Sequence, residues 1–270
     1  SEMVGGMGYF FMIALPVTAL FGLLIIPDNQ KTEGTSFPKL LDLLHILKDN
    51  RPLVRTLLIE FLCSSASSIS AVTYIYLAKH VFDLEDISSR ILFLYFLAGL
   101  LVMPIWMKAS YYIGKPRTLL ISTILCSLTL ATYLFIDTND ALSTLITLTI
   151  LYGIGYGAPF TLTRALMADI VDADELRSGK KRPGLFYSIL TTFSKVGAAI
   201  AVGLVYSYLE FRGFKPDQIA SDKIKEILLF VFAFIPMILY FCATLFCIGY
   251  ELTSEKHKEI QKQLEFKNGN

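Results

Sequence analysis

A single lysine, Lys195, stands near the middle of an otherwise uncharged apolar run from Pro183 to Leu209. An ammonium in that setting needs a watery cavity, a partner carboxylate or both, so it suits the holding of an ion or a polar solute. The densest polar feature lies upstream, in Met167-Ala-Asp169-Ile-Val-Asp172-Ala-Asp174-Glu175-Leu-Arg177-Ser-Gly179-Lys-Lys-Arg182-Pro-Gly184. Asp169, Asp172 and Glu175 recur every three residues, so a helix would stack them on one side. Two chemistries fit. The carboxylates can pair with Arg177, Lys181, Arg182 and neighbouring basic loops, or Asp169 and Asp172 can hold a magnesium ion and a diphosphate at a helix end. Other catalytic sets are missing from the sequence. His45, His80 and His257 are far apart, and neither HExxH nor GxSxG occurs. Cys63, Cys126, Cys242 and Cys247 lie in apolar runs without a CxxC, as small buried side chains do. Gly153-Ile-Gly155-Tyr-Gly157-Ala-Pro159 has the spacing of a dinucleotide loop but lies inside an apolar run, where glycines serve close helix contact and bending.

The elements that position these residues follow from composition. Of 270 residues 54% are hydrophobic and 17% charged, against about 25% charged in soluble domains. Mean hydropathy is +0.57. A disordered chain, a disulfide scaffold and a nucleic-acid module are excluded, the last because a net charge of +1 leaves no polyanion footprint. Seven runs approach the ~20 apolar residues a spanning helix needs: 8–27, 56–78, 91–107, 118–136, 141–163, 183–209 and 227–250. They do not alternate with period two, which excludes a β-barrel. The fold class is an all-α polytopic membrane protein. Pro16, Pro104, Pro159 and Pro236 fall within spans, where neighbours or water must re-satisfy the backbone. Glu60 and Arg55, near the start of the second run, read as interfacial anchors.

The loops give an orientation. Segments 28–52, 108–117, 164–184 and 251–270 hold 16 Lys and Arg; the alternate set holds 6. The first set is therefore cytoplasmic, the N-terminus outside and the C-terminus inside. The other acidic loop cluster, Asp83, Glu85 and Asp86, then falls on the opposite side, so the metal site lacks a second acidic motif. Segment 37–52 is amphipathic and suits either a helix in the cytoplasmic interface or a plain surface helix packed on neighbouring loops. Ser254 to Lys267 reads as a polar, frayed tail helix. A start seven residues before an outward-facing span reads as a cut through a loop of a longer protein.

The acidic segment, followed by Gly184-Leu-Phe-Tyr187-Ser and Thr191-Thr-Phe-Ser-Lys195-Val-Gly197, resembles the glycoside–pentoside–hexuronide:cation symporters, the melibiose-permease-like branch of the major facilitator superfamily. Asn50-Arg51-Pro52-Leu53 and Gly114-Lys115-Pro-Arg117 fit the same family. The resemblance implies a major-facilitator-type six-helix half preceded by one helix. Residues 1–27 would match family helix six, 28–52 the middle loop, 53–250 the C-terminal transport half, and 251–270 a cytoplasmic tail. Family helices one to five would be the missing partner, beside the lipid bilayer and a small solute, in a bacterial-type inner membrane and with no nucleic acid.

Roles carry over from the family by position. Lys195 would lie beside the cation site, Thr191 at a sugar-contacting position, and Tyr187 one turn earlier. Asp169, Asp172, Glu175, Arg177 and Arg182, with Lys115 and Arg117, would form a cytoplasmic charge network that holds the outward-open state closed. No cofactor is implied. A coupling Na⁺ or H⁺ is expected, not bound by this half alone. The expected function is the C-terminal half of a cation-coupled symporter for a sugar, glycoside or related solute, rather than an enzyme. The alternatives are a non-transporting remnant or partner subunit, or a membrane enzyme using Asp169 and Asp172 with a metal.

Overall fold

The computed structural model describes residues 2–25, 46–48, 50–135, 141–216, 218 and 220–268. They fall into two units, 1–46 and 47–270. The first contains α1 (Glu2–Ile25), apolar around its circumference as a lipid-embedded helix is, with Pro16 inside it. The interfacial helix expected over 37–52 lies largely outside the described residues.

The second unit is a helical bundle. It comprises α2 (Arg51–His80), α3 (Glu85–Ile113), α4 (Lys115–Tyr133), α5 (Ala141–Ser178), α6 (Pro183–Phe211), α7 (Asp222–Cys247) and the tail helix α8 (Ser254–Asn268). Among the described residues there is no strand. With α1, the helices α2–α7 coincide with the seven apolar runs. Among the described residues, five of them are long and apolar enough to cross a membrane. The protein is an all-α integral membrane protein.

Local chemistry sets the boundaries. The Asn50 side chain accepts from the Leu53 amide at 3.1 Å, and Pro52 occupies the first turn of α2, where its missing N–H costs nothing. Gly114, at φ +89°, alone separates α3 from α4 and takes a backbone geometry that a side chain would resist. In α7 a π-helical turn, Phe230–Phe234, precedes Pro236. Proline cannot donate to the carbonyl four residues back, and the Ser70 hydroxyl turns to that carbonyl, Phe232 O, at 3.4 Å.

Helix α2 packs against α3, α5, α6 and α7, and α5 also packs against α3 and α4. The glycines of the false dinucleotide motif make these contacts. A Cβ on Gly153 would press into the Tyr95 carbonyl of α3, and one on Gly157 would sit 2.6 Å from the Gly99 carbonyl. The backbones of α3 and α5 thus touch without side chains between them. Gly153→Ala is expected to destabilise the bundle by about 1–3 kcal/mol, the usual cost of forcing an extra carbon into a packed interface. A melting curve of purified protein in detergent reads this out; an unchanged midpoint would show that α3 is free to move away.

One expectation is corrected. Segment 164–184 was read as a loop, but α5 runs unbroken to Ser178. Its 38 residues extend about 57 Å at 1.5 Å per residue, well beyond a hydrocarbon core about 30 Å thick. The acidic residues therefore ride on a rigid helical extension, and the linker to α6 is only 179–182.

Candidate functional site

Three partners converge on the C-terminal extension of α5. From the start of α4, Lys115 Nζ lies 2.5 Å from Asp169 Oδ1 and donates to Ala165 O at 3.2 Å. From α8, His257 places Nε2 2.9 Å from Asp172 Oδ2 and Nδ1 3.3 Å from Asp169 Oδ1. From the linker, Arg182 donates twice to Asp174, Nε to Oδ2 at 2.8 Å and Nη2 to Oδ1 at 3.0 Å. Arg177 approaches the same carboxylate at 3.8 Å, and Lys181 pairs with Glu175 at 3.4 Å. The Asp174 hydrogen bonds push the Arg182 guanidinium pKa up from its ordinary value. Asp169 and Asp174 are buried, so matching each with a cation is what makes their burial tolerable.

Of the residues the sequence put in this network, Asp169, Asp172, Glu175, Arg177, Arg182 and Lys115 are brought together. Arg117 stays exposed and outside it among the described residues. Two members were missed. Asp174 is the most buried carboxylate of the set, and His257 comes from a tail that had been read only as frayed. The three-residue spacing singled out one face of α5 and passed over Asp174, while nothing in the sequence marked the docking of α8. Asp169 is already engaged by an ammonium. Among the described residues no group of three His, Cys, Asp or Glu side chains is arranged to hold a metal ion.

The second constellation lies on α6. Its buried face carries Phe186, Leu190, Gly197, Ala201, Val205 and Leu209. Another face exposes Ser188, Thr191, Thr192 and Lys195, with Tyr187 at its edge. Thr191 and Thr192 fold their hydroxyls back onto the Tyr187 and Ser188 carbonyls at 2.8 Å. Lys195 has no ion-pair partner among the described residues. Tyr187 donates to Arg164 O on α5 at 3.2 Å, which joins the two helices along a seam.

Arg164 itself departs from expectation. Read as a loop cation, it sits in mid-helix, with its guanidinium 4.2 Å from the Phe160 ring centroid and Nη1 donating to Phe160 O at 2.7 Å. Glu60 is also not an interfacial anchor. It is 5% exposed, accepts from Thr163 Oγ1 at 2.6 Å, and lies 3.9 Å from Arg164 Nη1. Arg55 donates to Ile248 O and Gly249 O at 3.3 and 2.6 Å, capping the end of α7.

A helical bundle with one polar seam and a cation-bound helix end has the parts to bind a solute and to move. Residues 4–254 match the family described as MFS/sugar transport protein. The chain belongs to that family. It is 26% identical over its whole length to an uncharacterized symporter of Synechocystis, covering 54% of that protein. It is 27% identical to the glucuronide carrier protein homolog of Escherichia coli strain K12, over 82% of this chain and 49% of that one. A sphingosine-1-phosphate transporter of Xenopus tropicalis is 22% identical over 76% of the chain and 40% of its own length. The chain spans about half the length of these curated relatives.

Proposed function

We propose that this chain is the C-terminal half of a cation-coupled secondary transporter for a sugar, glycoside or related small solute. The observation that carries the proposal is the exposed polar face of α6. Lys195 and Thr191 stand exposed on a membrane-spanning helix, with Tyr187 at the edge of that face. A bare lysine at that depth faces water or another protein segment. Symporter relatives about twice as long supply the rest of the reading, with a second half facing this one across a central site. The carboxylate network at the end of α5 then lies on the cytoplasmic side, in keeping with the loop charges. It holds α4, α8 and the 179–182 linker together while the site faces outward. The protein moves solutes rather than transforming them, and the coupling ion is Na⁺ or H⁺.

The test is reconstitution of the complete polypeptide in liposomes with an imposed Na⁺ or H⁺ gradient. Accumulation of a labelled glycoside above equilibrium supports the proposal. Equilibration alone, under either gradient, removes the coupling. The rival reading, a membrane enzyme using Asp169 and Asp172, predicts a different result for Asp172→Asn. An enzyme would lose turnover and metal binding together. A transporter is expected to keep solute affinity within about threefold and lose rate, since the change biases the state equilibrium rather than the site. Equilibrium binding and initial uptake rates on the same preparation separate the two.

A further inference from the structure

His80 has no part in the transport reading. It closes α2 two residues beyond the apolar run 56–78, so it lies past the spanning segment. The residue is 6% exposed, and its Nε2 is buried with no hydrogen-bond partner. A buried orphan of this kind calls for an explanation.

What buries it is the connection from α6 to α7. The Phe214 ring of that connection stands perpendicular to the imidazole, with 5.6 Å between centroids. It also packs on Tyr76, one turn earlier on α2, at 5.1 Å. Gly213 turns the chain ahead of it at φ +80°, and the Phe214 amide donates to Leu209 O at 3.0 Å. Leu209 belongs to a core cluster shared with Ile69 of α2 and with Ile227, Leu228 and Val231 of α7. Phe214 therefore fastens the end of α6, the helix that carries Lys195, to the end of α2.

A neutral imidazole fits this seat with Nε2 as its unprotonated nitrogen. A second proton does not fit. It would place a charged donor at a buried position with no acceptor, which costs more than a neutral acceptor left unpaired. The surrounding groups weigh the same way. Burial first, and Lys79 next, push the imidazole pKa below its ordinary value. The Pro216 carbonyl, Glu85 and Asp83 offset this only in part, and Glu85 is already engaged by Lys79 at 2.8 Å. Arg212 and Lys215, the cations of the connection itself, are exposed and bring no negative charge to the ring.

We infer that His80 is an acid-sensitive latch. Neutral, it keeps Phe214 seated and the end of α6 tied to α2. Protonated, it turns out to water, unseats Phe214 and frees the α6–α7 connection. The closed form disfavours the proton, so the latch is complete above the ordinary histidine value of about 6.5 and fails as the pH falls through the lowered one. Acid then loosens the end of α6 that lies away from the charge network. That biases the balance of conformations without touching Lys195.

The test is hydrogen–deuterium exchange of the complete protein in detergent at about pH 5.5 and about pH 7.5, on either side of the histidine range. Wild type is compared with His80→Phe at each pH, so the intrinsic pH dependence of exchange cancels. Segment 210–222 of the wild type should exchange several-fold faster than that of the variant at the acid pH and at the same rate at the higher one. The segments around Asp169 and His257 should show no such split. Phe214→Leu, which empties the seat and keeps the histidine, should loosen segment 210–222 at both values. Acid loosening of equal size in wild type and His80→Phe overturns the inference. So does wild-type protection in Phe214→Leu. If His80→Phe does not fold, His80→Gln, which also stays neutral, is judged by the same comparison.

Discussion

Lys195→Ala in the complete protein is expected to reduce gradient-driven accumulation to background while the protein still folds. The two halves of this expectation have separate causes. Folding should survive because Lys195 is exposed and makes no hydrogen bond or ion pair among the described residues. Its removal empties no packed site, and surface changes away from such sites stay within about 0.5 kcal/mol. Accumulation should fail because the ammonium is the one charge between Pro183 and Leu209, in the middle of the exposed face of α6. A charge placed at that depth is retained only where it meets an ion, a solute or a carboxylate of the facing half. Lys195→Arg keeps the charge but enlarges and flattens the head group, so partial activity is expected. The measurement is uptake against an imposed ion gradient, run beside a melting curve. Undiminished accumulation in Lys195→Ala would remove the residue from the mechanism. Lost accumulation together with a lowered melting point would make its role structural.

The fold was legible because a spanning helix is written in one dimension. Each apolar run had to be about 20 residues long whatever its neighbours were, and α1 through α7 fall on the expected runs. The glycines of 153–157 were also readable, since small residues inside a span have few other uses. The polar contacts were harder. Helix α5 was cut short at Thr163 because Arg164 and the acidic residues behind it look like a loop in a hydropathy profile, whereas helix propensity does not stop at a charge. That error hid Arg164 as a member of the bundle. It also left Glu60 without its neighbour, for its partners Thr163 and Arg164 are more than a hundred residues away in sequence. His257 was invisible for the same reason. Only the packing of α8 on α5 brings its ring between Asp169 and Asp172. Pattern shows which face of one helix is polar, but which other helix answers it is a three-dimensional fact.

Asp174 is where that distinction has its largest structural consequence. Its carboxylate lies in the last turn of α5, where the helix dipole already disfavours negative charge, and it is 2% exposed. The donors around it make this position tenable: two hydrogen bonds from the Arg182 guanidinium, the nearby Arg177 and, at 3.4 Å, the Ser178 hydroxyl. Arg182 immediately precedes Pro183, the first residue of α6, so this pairing fixes the angle at which α6 leaves the four-residue linker. Asp174→Asn keeps the shape and removes the charge. It should cost about 1.5–3 kcal/mol, the range for hydrogen bonds to a charged group, with Asp174→Ala at the upper end. The loosened linker carries Lys180 and Lys181 (the Arg182–Pro183 bond resists trypsin), so trypsin should cut after these lysines several-fold faster than in the wild type, as local opening becomes easier. Arg182→Lys should behave like a milder Asp174→Asn, because an ammonium cannot supply the two-pronged contact. Unchanged cleavage and melting in Asp174→Asn would mean that Lys115 and His257 hold the end of α5 by themselves. Faster cleavage with unaltered solute affinity would separate the charge network at the end of α5 from the exposed face of α6 proposed to meet the solute.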